Sequence, residues 1–229
     1  MRHAFNVLPW LPPQEYEEIR SIYYQHGTLV RIPKNTVLKS SGDENRLFYL
    51  KKGLCTCSVN GYPDKILTLA LLLPGRAIGD LTCVSGETVN MTITARRDSE
   101  VLALPAGTLT DYMEKDAHIG VLMARTVLSK RNSHLEGMLN NCFLSQDQRL
   151  RVFFKALIAS EQSDYNSPWY KVTIKLNNEE IARVINATRV SVSRLIGEWI
   201  DNGLYRKDGN IRYIHEDIFH SVRDWRANQ

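Results

Sequence analysis

The chain has 229 residues, 43% of them hydrophobic and 24% charged. That composition suits a folded protein of two compact units and excludes disorder, collagen-like repeats and a miniprotein held by metal or disulfides. Net charge is only +4, and from Phe143 onward 13 Lys and Arg face 11 Asp and Glu, leaving 16 and 14 for the rest, so a nucleic-acid site must be a local patch. The longest apolar stretch, Ile66 to Leu73 with Thr68 inside it, falls far short of the roughly 20 residues a membrane helix needs. No secretory signal is visible in Met1-Arg2-His3-Ala4-Phe5-Asn6, and the expected location is the cytoplasm. Cys55, Cys57, Cys83 and Cys142 match neither a zinc nor a disulfide spacing and read as buried free thiols.

In chain order, Pro12 to Tyr24 reads as an amphipathic helix with Tyr16, Ile19, Ile22 and Tyr23 on its apolar side and a proline at its start. From Thr28 to about Leu104 the pattern is short β-rich runs: Leu29–Ile32, Thr36–Lys39, Leu47–Leu50, Leu54–Val59, Lys65–Leu71, Met91–Ala95 and Val101–Leu104. Turn residues such as Ser41-Gly42-Asp43, Asn60-Gly61 and Pro74-Gly75 separate them, which predicts a closed or rolled antiparallel sheet. After Pro105 the period becomes helical as far as about Asn140. Val121, Leu128, Leu135 and Cys142 recur every seven residues, a seam for a partner helix, although Arg131 and Asn132 interrupt it. Packing along the chain's own sheet is the alternative use of that helix.

The rear of the chain reads as helix Gln146–Ser160, strand Tyr170–Ile174, helix, tight turn, helix, hairpin, helix. Asn177 or Asn178 can cap the first helix of the pair, with Glu179 and Glu180 in its opening turn. Asn186-Ala187 makes the turn, Thr188 caps the next helix, and Val192, Leu195, Ile196, Trp199 and Ile200 form its buried stripe. Arg189, Val190, Ser191, Ser193 and Arg194 face outward, and Leu204 to Tyr213 forms a hairpin turning near Asp208-Gly209. A helix with this first turn fits the major groove. Arg189 can read guanine O6 and N7, while Thr188, Arg194, and Lys207 and Arg212 on the hairpin suit phosphates.

These features resemble the CRP/FNR superfamily of bacterial transcription regulators along almost the whole chain. The resemblance rests on Gly42-Asp43, Leu47 to Gly53, Pro74-Gly75, Ile78-Gly79-Asp80-Leu81 and Thr94-Ala95 in front. Behind, it rests on Gln148-Arg149-Leu150, Glu180-Ile181-Ala182, Thr188 to Leu195 and Gly203-Leu204. It implies an α+β chain: a cyclic-nucleotide-binding-like β-roll over residues 1–108, a long dimerisation helix over 109–142, and a winged helix-turn-helix over 143–229. It also implies a homodimer on a palindromic double-stranded DNA operator, a small-molecule effector, and contact with RNA polymerase through the Tyr165 to Trp169 loop.

Departures from the family narrow the effector. Where cyclic-AMP-binding members place an Arg-Ser phosphate clamp, this chain has Asn90-Met91, so cyclic AMP is not expected. No cysteine precedes Cys55, against an iron-sulfur cluster, and Leu81 to Ser85 lacks the His of haem-type members, against haem. Lys130 stands where the similar halorespiration regulators place a lysine near a phenolic ligand, a resemblance that implies an aromatic or phenolic anion; a solvated helix lysine is the bland alternative. Gly79, Asp80, Cys83, Asn90 and Met91 complete the candidate effector residues, and Val190 replaces a family Glu, favouring a thymine methyl over cytosine. No metal pair, phosphate loop or nucleophile motif supports an enzyme. Effector-independent or redox-controlled DNA binding remains the rival.

Overall fold

The computed structural model describes all residues except 1–3, 41–45, 62–64, 87–89, 162–166 and 221–229. The chain divides into two compact units, Pro12–Asn132 and Met1–Leu11 with Ser133–Gln229.

The first unit holds α1 (Glu17–His26), β1 (Thr28–Ile32), β2 (Val37–Lys39), β3 (Arg46–Lys52), β4 (Cys55–Gly61), β5 (Lys65–Leu72), β6 (Ala77–Ile78), α2 (Asp80–Ser85), β7 (Thr92–Ala95), β8 (Ser99–Pro105) and α3 (Ala106–Lys115). Its strands pair antiparallel into two four-stranded sheets, β1-β8-β3-β6 and β2-β7-β4-β5. The period-two alternation has a direct consequence. On β3 and β8, Phe48, Leu50 and Val101 join side chains of the second sheet between the two sheets, while Leu47, Tyr49, Leu102 and Leu104 turn to the other face. There they meet Ile19, Ile22 and Tyr23 of α1, Leu109 of α3, and Ile119, Leu122 and Met123. Each such buried aliphatic side chain contributes roughly 1.5–3 kcal/mol.

Two expectations for this region need correction. The first helix starts at Glu17, not at Pro12, because Glu15 is drawn inward, its carboxylate accepting from Ala77 N at 2.8 Å and its own N–H donating to Gly75 O. The long helical stretch after Pro105 is two helices, α3 and α4 (Ala117–Phe143), divided at Asp116, whose carboxylate accepts from His118 N at 2.8 Å and so starts the second. The Gly42-Asp43 turn lies outside the described residues. Thiol placement is mixed: Cys55 and Cys57 are buried and pushed up to about 12 by desolvation, whereas Cys83 is half-buried and Cys142 exposed.

In the second unit, α5 (Gln146–Ser160) opens with a reciprocal cap between Ser145 and Gln148. It is followed by β9 (Trp169–Val172), α6 (Asn178–Val184), α7 (Arg189–Asp201), β10 (Tyr205–Asp208), β11 (Ile211–His215) and a 3₁₀ turn, Glu216–Phe219, where a terminal helix was expected. The strands form one antiparallel sheet in the order β10-β11-β9. Phe153 and Phe154 of α5 are fully buried, Phe154 packing edge-on against Trp199 of α7 and Tyr205 of β10. Near the N-terminus, Trp10 is wholly buried against Phe153, in space that any Cβ on Gly137 would invade at 2.6 Å.

Candidate nucleic-acid interface and effector unit

The helix pair α6 and α7 is fixed by local chemistry. Asn177 Oδ1 accepts from Glu180 N at 2.9 Å and Glu180 Oε2 accepts from Asn177 N at 2.8 Å, closing a reciprocal cap on α6. Asn186 takes a left-handed φ of 50° and turns the chain, and Thr188 Oγ1 accepts from Ser191 N at 3.0 Å to start α7. Ile181, Ala182, Val184, Val192, Leu195, Ile196 and Trp199 are all buried, so the opposite face of α7 is dictated by what remains.

That face carries Thr188, Arg189, Val190, Ser193 and Arg194, all exposed, with Ser191 half-buried. Val190 is 77% exposed. Besides Thr188 and Ser191, whose hydroxyls lie 2.9 Å apart, two more of the polar side chains have structural partners. Ser193 Oγ accepts from Asn178 Nδ2 at 2.9 Å, tying α7 to the start of α6, and Arg194 pairs with Glu198 one turn on. Lys207 is exposed on β10. Arg212 is not available for phosphate: it is buried, and its guanidinium donates to Ile174 O and Leu176 O, fastening β11 to the segment ahead of α6. Its position on the hairpin's inward-facing register, opposite Val172, is what the sequence reading overlooked.

In the first unit, the predicted effector residues fall into separate places. Gly79 has φ +94°, and a Cβ there would approach Arg46 O at 3.0 Å and Lys39 Nζ at 3.2 Å, so only glycine fits ahead of α2. Asp80 and Lys130 are brought together. Lys130 is neither solvated nor open: its side chain is 3% exposed, with its ammonium bound to Asp80, to Glu15 at 2.6 Å and to Ala77 O at 3.1 Å. Both carboxylates raise the Lys130 pKa against its burial, while burial and the Asp80 charge push the Glu15 carboxyl above its ordinary value. Glu15 Oε2 has no partner among the described residues, and the buried Tyr23 hydroxyl beside this cluster is likewise raised by burial and by the Asp80 and Glu15 charges. Cys83 packs on the same helix side, near Ala106 O and the Thr110 hydroxyl, and its thiol is raised by burial.

Met91 lies instead between the two sheets, its sulfur 3.5 Å from the Cys57 thiol, and Asn90 is exposed. Met91 thus presents a thioether to this space and no charge-assisted donor. Glu15 was missed because its partners, Ala77 and Lys130, lie 62 and 115 positions further on; no spacing rule links them. The Asn178–Ser193 bond was missed for the same reason.

Two family models match the chain: the cyclic nucleotide-binding domain over residues 29–116 and the Crp-like helix-turn-helix domain over 148–217. The chain is a DNA-binding transcription regulator of the CRP/FNR superfamily. It is 25% identical over 166 residues to the global nitrogen regulator of Synechocystis sp. (strain ATCC 27184 / PCC 6803 / Kazusa), covering 71% of this chain and 73% of that protein. Its fold is similar to that of FixK2 from Bradyrhizobium japonicum, with TM-score 0.74, 13% identity and coverage of 86% and 98%. It is also similar to OCPA-complexed CprK, with TM-score 0.69, 16% identity and coverage of 93% and 98%. Among the described residues no helix is long and apolar enough to cross a membrane.

Proposed function

We propose that the chain works in the cytoplasm as a homodimer that binds a palindromic operator and is controlled by a small molecule other than cyclic AMP. The observation that carries the reading is the first turn of α7: Arg189 and Val190 stand in solvent on a helix whose other face is buried from Val192 to Trp199, although Ile200, expected in the same stripe, is 52% exposed. Arg189 reads a guanine, Val190 lies against a thymine methyl, and Thr188, Arg194 and Lys207 hold phosphates. The dimer is supported by α4, whose amphipathicity is inverted in the single chain. Val121, Leu128, Leu135 and Met138 are exposed, whereas Thr126, Lys130, Ser133, Glu136 and Asn140 are buried. A second copy of the helix covers the apolar stripe, and two-fold pairing sets the recognition helices about 34 Å apart.

An effector in the first unit acts by preferring one arrangement over another; a coupling of roughly 1–3 kcal/mol changes operator affinity about 5- to 150-fold. An aromatic anion paired with Lys130 would have to displace Glu15 or Asp80, which the sequence could not foresee. Contact with RNA polymerase rests on resemblance; Tyr165 of that loop lies outside the described residues.

Selection from random duplex DNA at fixed salt tests the reading. Two inverted half-sites should emerge, each with a guanine beside A·T pairs, and Arg189→Ala should cost about 1–3 kcal/mol of discrimination at the guanine. Half-sites indifferent to Arg189→Ala would remove Arg189 as the reader.

A further inference from the structure

Residues 4–10 run as a strap along the rear turns of α4, within the second unit. Ala4 N and Phe5 N both donate to Glu136 Oε2, at 3.1 and 3.2 Å, Ser133 Oγ donates to Leu8 O at 2.6 Å, and Trp10 N donates to Ser133 O at 3.3 Å. The strap ends in Trp10, held at a left-handed φ of 59°, which a bulky side chain adopts only where its surroundings impose it. Its ring is wholly buried, and its Nε1 has no hydrogen-bond partner among the described residues, so the site forgoes a bond to hold the indole there. Gly137 supplies the room: a Cβ would stand 2.6 Å from Trp10 Cδ1 and 2.7 Å from Nε1. Glycine weakens the interior of a helix relative to alanine, and here the indole is what that loss accommodates.

The place of the ring matters because of what it bridges. α4 ends at Phe143 and α5 begins at Gln146, so only Leu144 and Ser145 join them. A joint this short fixes where two helices meet and leaves their mutual angle to side-chain packing. Trp10 packs on both: it sits over Gly137 of α4 and edge-on to Phe153 of α5, with centroids 6.1 Å apart. The rings continue from Phe153 to Phe154 at 6.2 Å, and from Phe154 to Trp199 of α7 at 5.8 Å, all of them buried. A close-packed run of this kind transmits displacement and does not absorb it. On the opposite side of the same turns of α4, Leu135 and Met138 are exposed, in the stripe assigned above to the partner helix.

Resting on that dimeric reading, we infer that Trp10, seated on Gly137, is a positioning residue for operator recognition. The strap makes the rear turns of α4 and the recognition helix α7 one body, so pairing of two α4 helices fixes the half-site spacing that the protein accepts.

The test uses purified full-length protein and duplexes carrying two selected half-sites at the selected spacing, or with one base pair removed or added between them, at fixed salt. One base pair displaces a half-site by about 3.4 Å and turns it by about a tenth of a helical turn. The natural chain should bind the selected spacing about tenfold more tightly than either shifted duplex, and Trp10→Ala and Gly137→Ala should each lose most of that preference. Trp10→Phe, which keeps a ring on Phe153, should retain part of it. Gly137→Ala decides the matter even if Trp10→Ala does not fold, because alanine favours the helix it enters while evicting the indole. Variants that keep the natural spacing preference, or that lose affinity equally at every spacing, would overturn the role of Trp10 and leave the dimer in place. A natural chain that sediments as a monomer with its operator, or that is indifferent to spacing, would overturn the dimeric reading and this inference with it.

Discussion

The buried cluster of the first unit and the open face of α7 in the second treat charge in opposite ways. In the first, Glu15, Asp80 and Lys130 are sealed from water and bound to one another. In the second, Arg189 and Arg194 of α7 stand in solvent, and the only partner of Arg194 among the described residues is Glu198, with both side chains about half exposed or more. Charge taken out of water must be paired or hydrogen-bonded, so the buried set is committed to tying the segment ahead of α1 to α2 and α4. Charge left in water is cheap to hold and free to exchange its hydration for phosphate or guanine. Charged side chains thus serve architecture in the buried cluster, while those on α7 stay open to the recognition role proposed for them, and burial decides the difference.

Removing Lys130 is the most severe way to probe that contrast. Lys130→Met leaves two carboxylates buried without a cation, and breaking a buried pair this way costs about 3–5 kcal/mol. Urea denaturation should show the loss, and the triple change Lys130→Met with Glu15→Gln and Asp80→Asn should recover much of it. A stability change under about 1 kcal/mol in the single variant would mean that the cluster is hydrated and not sealed.

The pH dependence of stability comes next. Burial and the Asp80 charge raise the Glu15 pKa in the folded protein, so the folded state holds that proton more tightly than the unfolded chain. The contribution of Glu15 is therefore complete below its ordinary value of 4.5 and declines as pH rises to the raised folded value. Lys130 has the same sign at alkaline pH: its raised value means stability present below 10.5 and lost above it. Glu15→Gln removes the uncompensated acid while keeping an acceptor for Ala77 N. Melting temperature in Glu15→Gln should fall less between pH 5 and pH 8 than in the natural chain, and parallel curves would dismiss Glu15 as the group responsible.

How much of this was legible follows from the range of the interactions. The strands were readable because Leu47 to Leu50 and Val101 to Leu104 alternate at period two, and the alternation itself names the two faces. The α6–turn–α7 segment was readable because caps, turn and stripe are local: Asn177 with Glu180, and Thr188 with Ser191, lie three residues apart. The break at Asp116 was missed because helical periodicity runs on through it, and only the aspartate cap on His118 ends one helix and begins another. Lys130 was read either as an effector residue or as a solvated helix lysine; it is not solvated, and its environment depends on Glu15 and Asp80 from distant segments, which no periodicity reports. Arg212 shows the converse: a hairpin arginine looks available until strand register turns it inward.

The smallest expected effect on stability gives the sharpest contrast with Lys130. Arg194 and Glu198 are one helical turn apart in water, and such a pair is worth about 0.3–0.5 kcal/mol. Arg194→Ala should therefore leave urea stability nearly unchanged. Its effect belongs to the complex with DNA: losing one phosphate contact should weaken operator and random duplex by the same factor and lower the slope of log affinity against log salt by about 0.9. Arg189→Ala should instead weaken the operator more than random duplex. If the two variants lost affinity with identical sequence dependence, the division of α7 into a base-reading Arg189 and a phosphate-holding Arg194 would be wrong, even though both arginines are exposed.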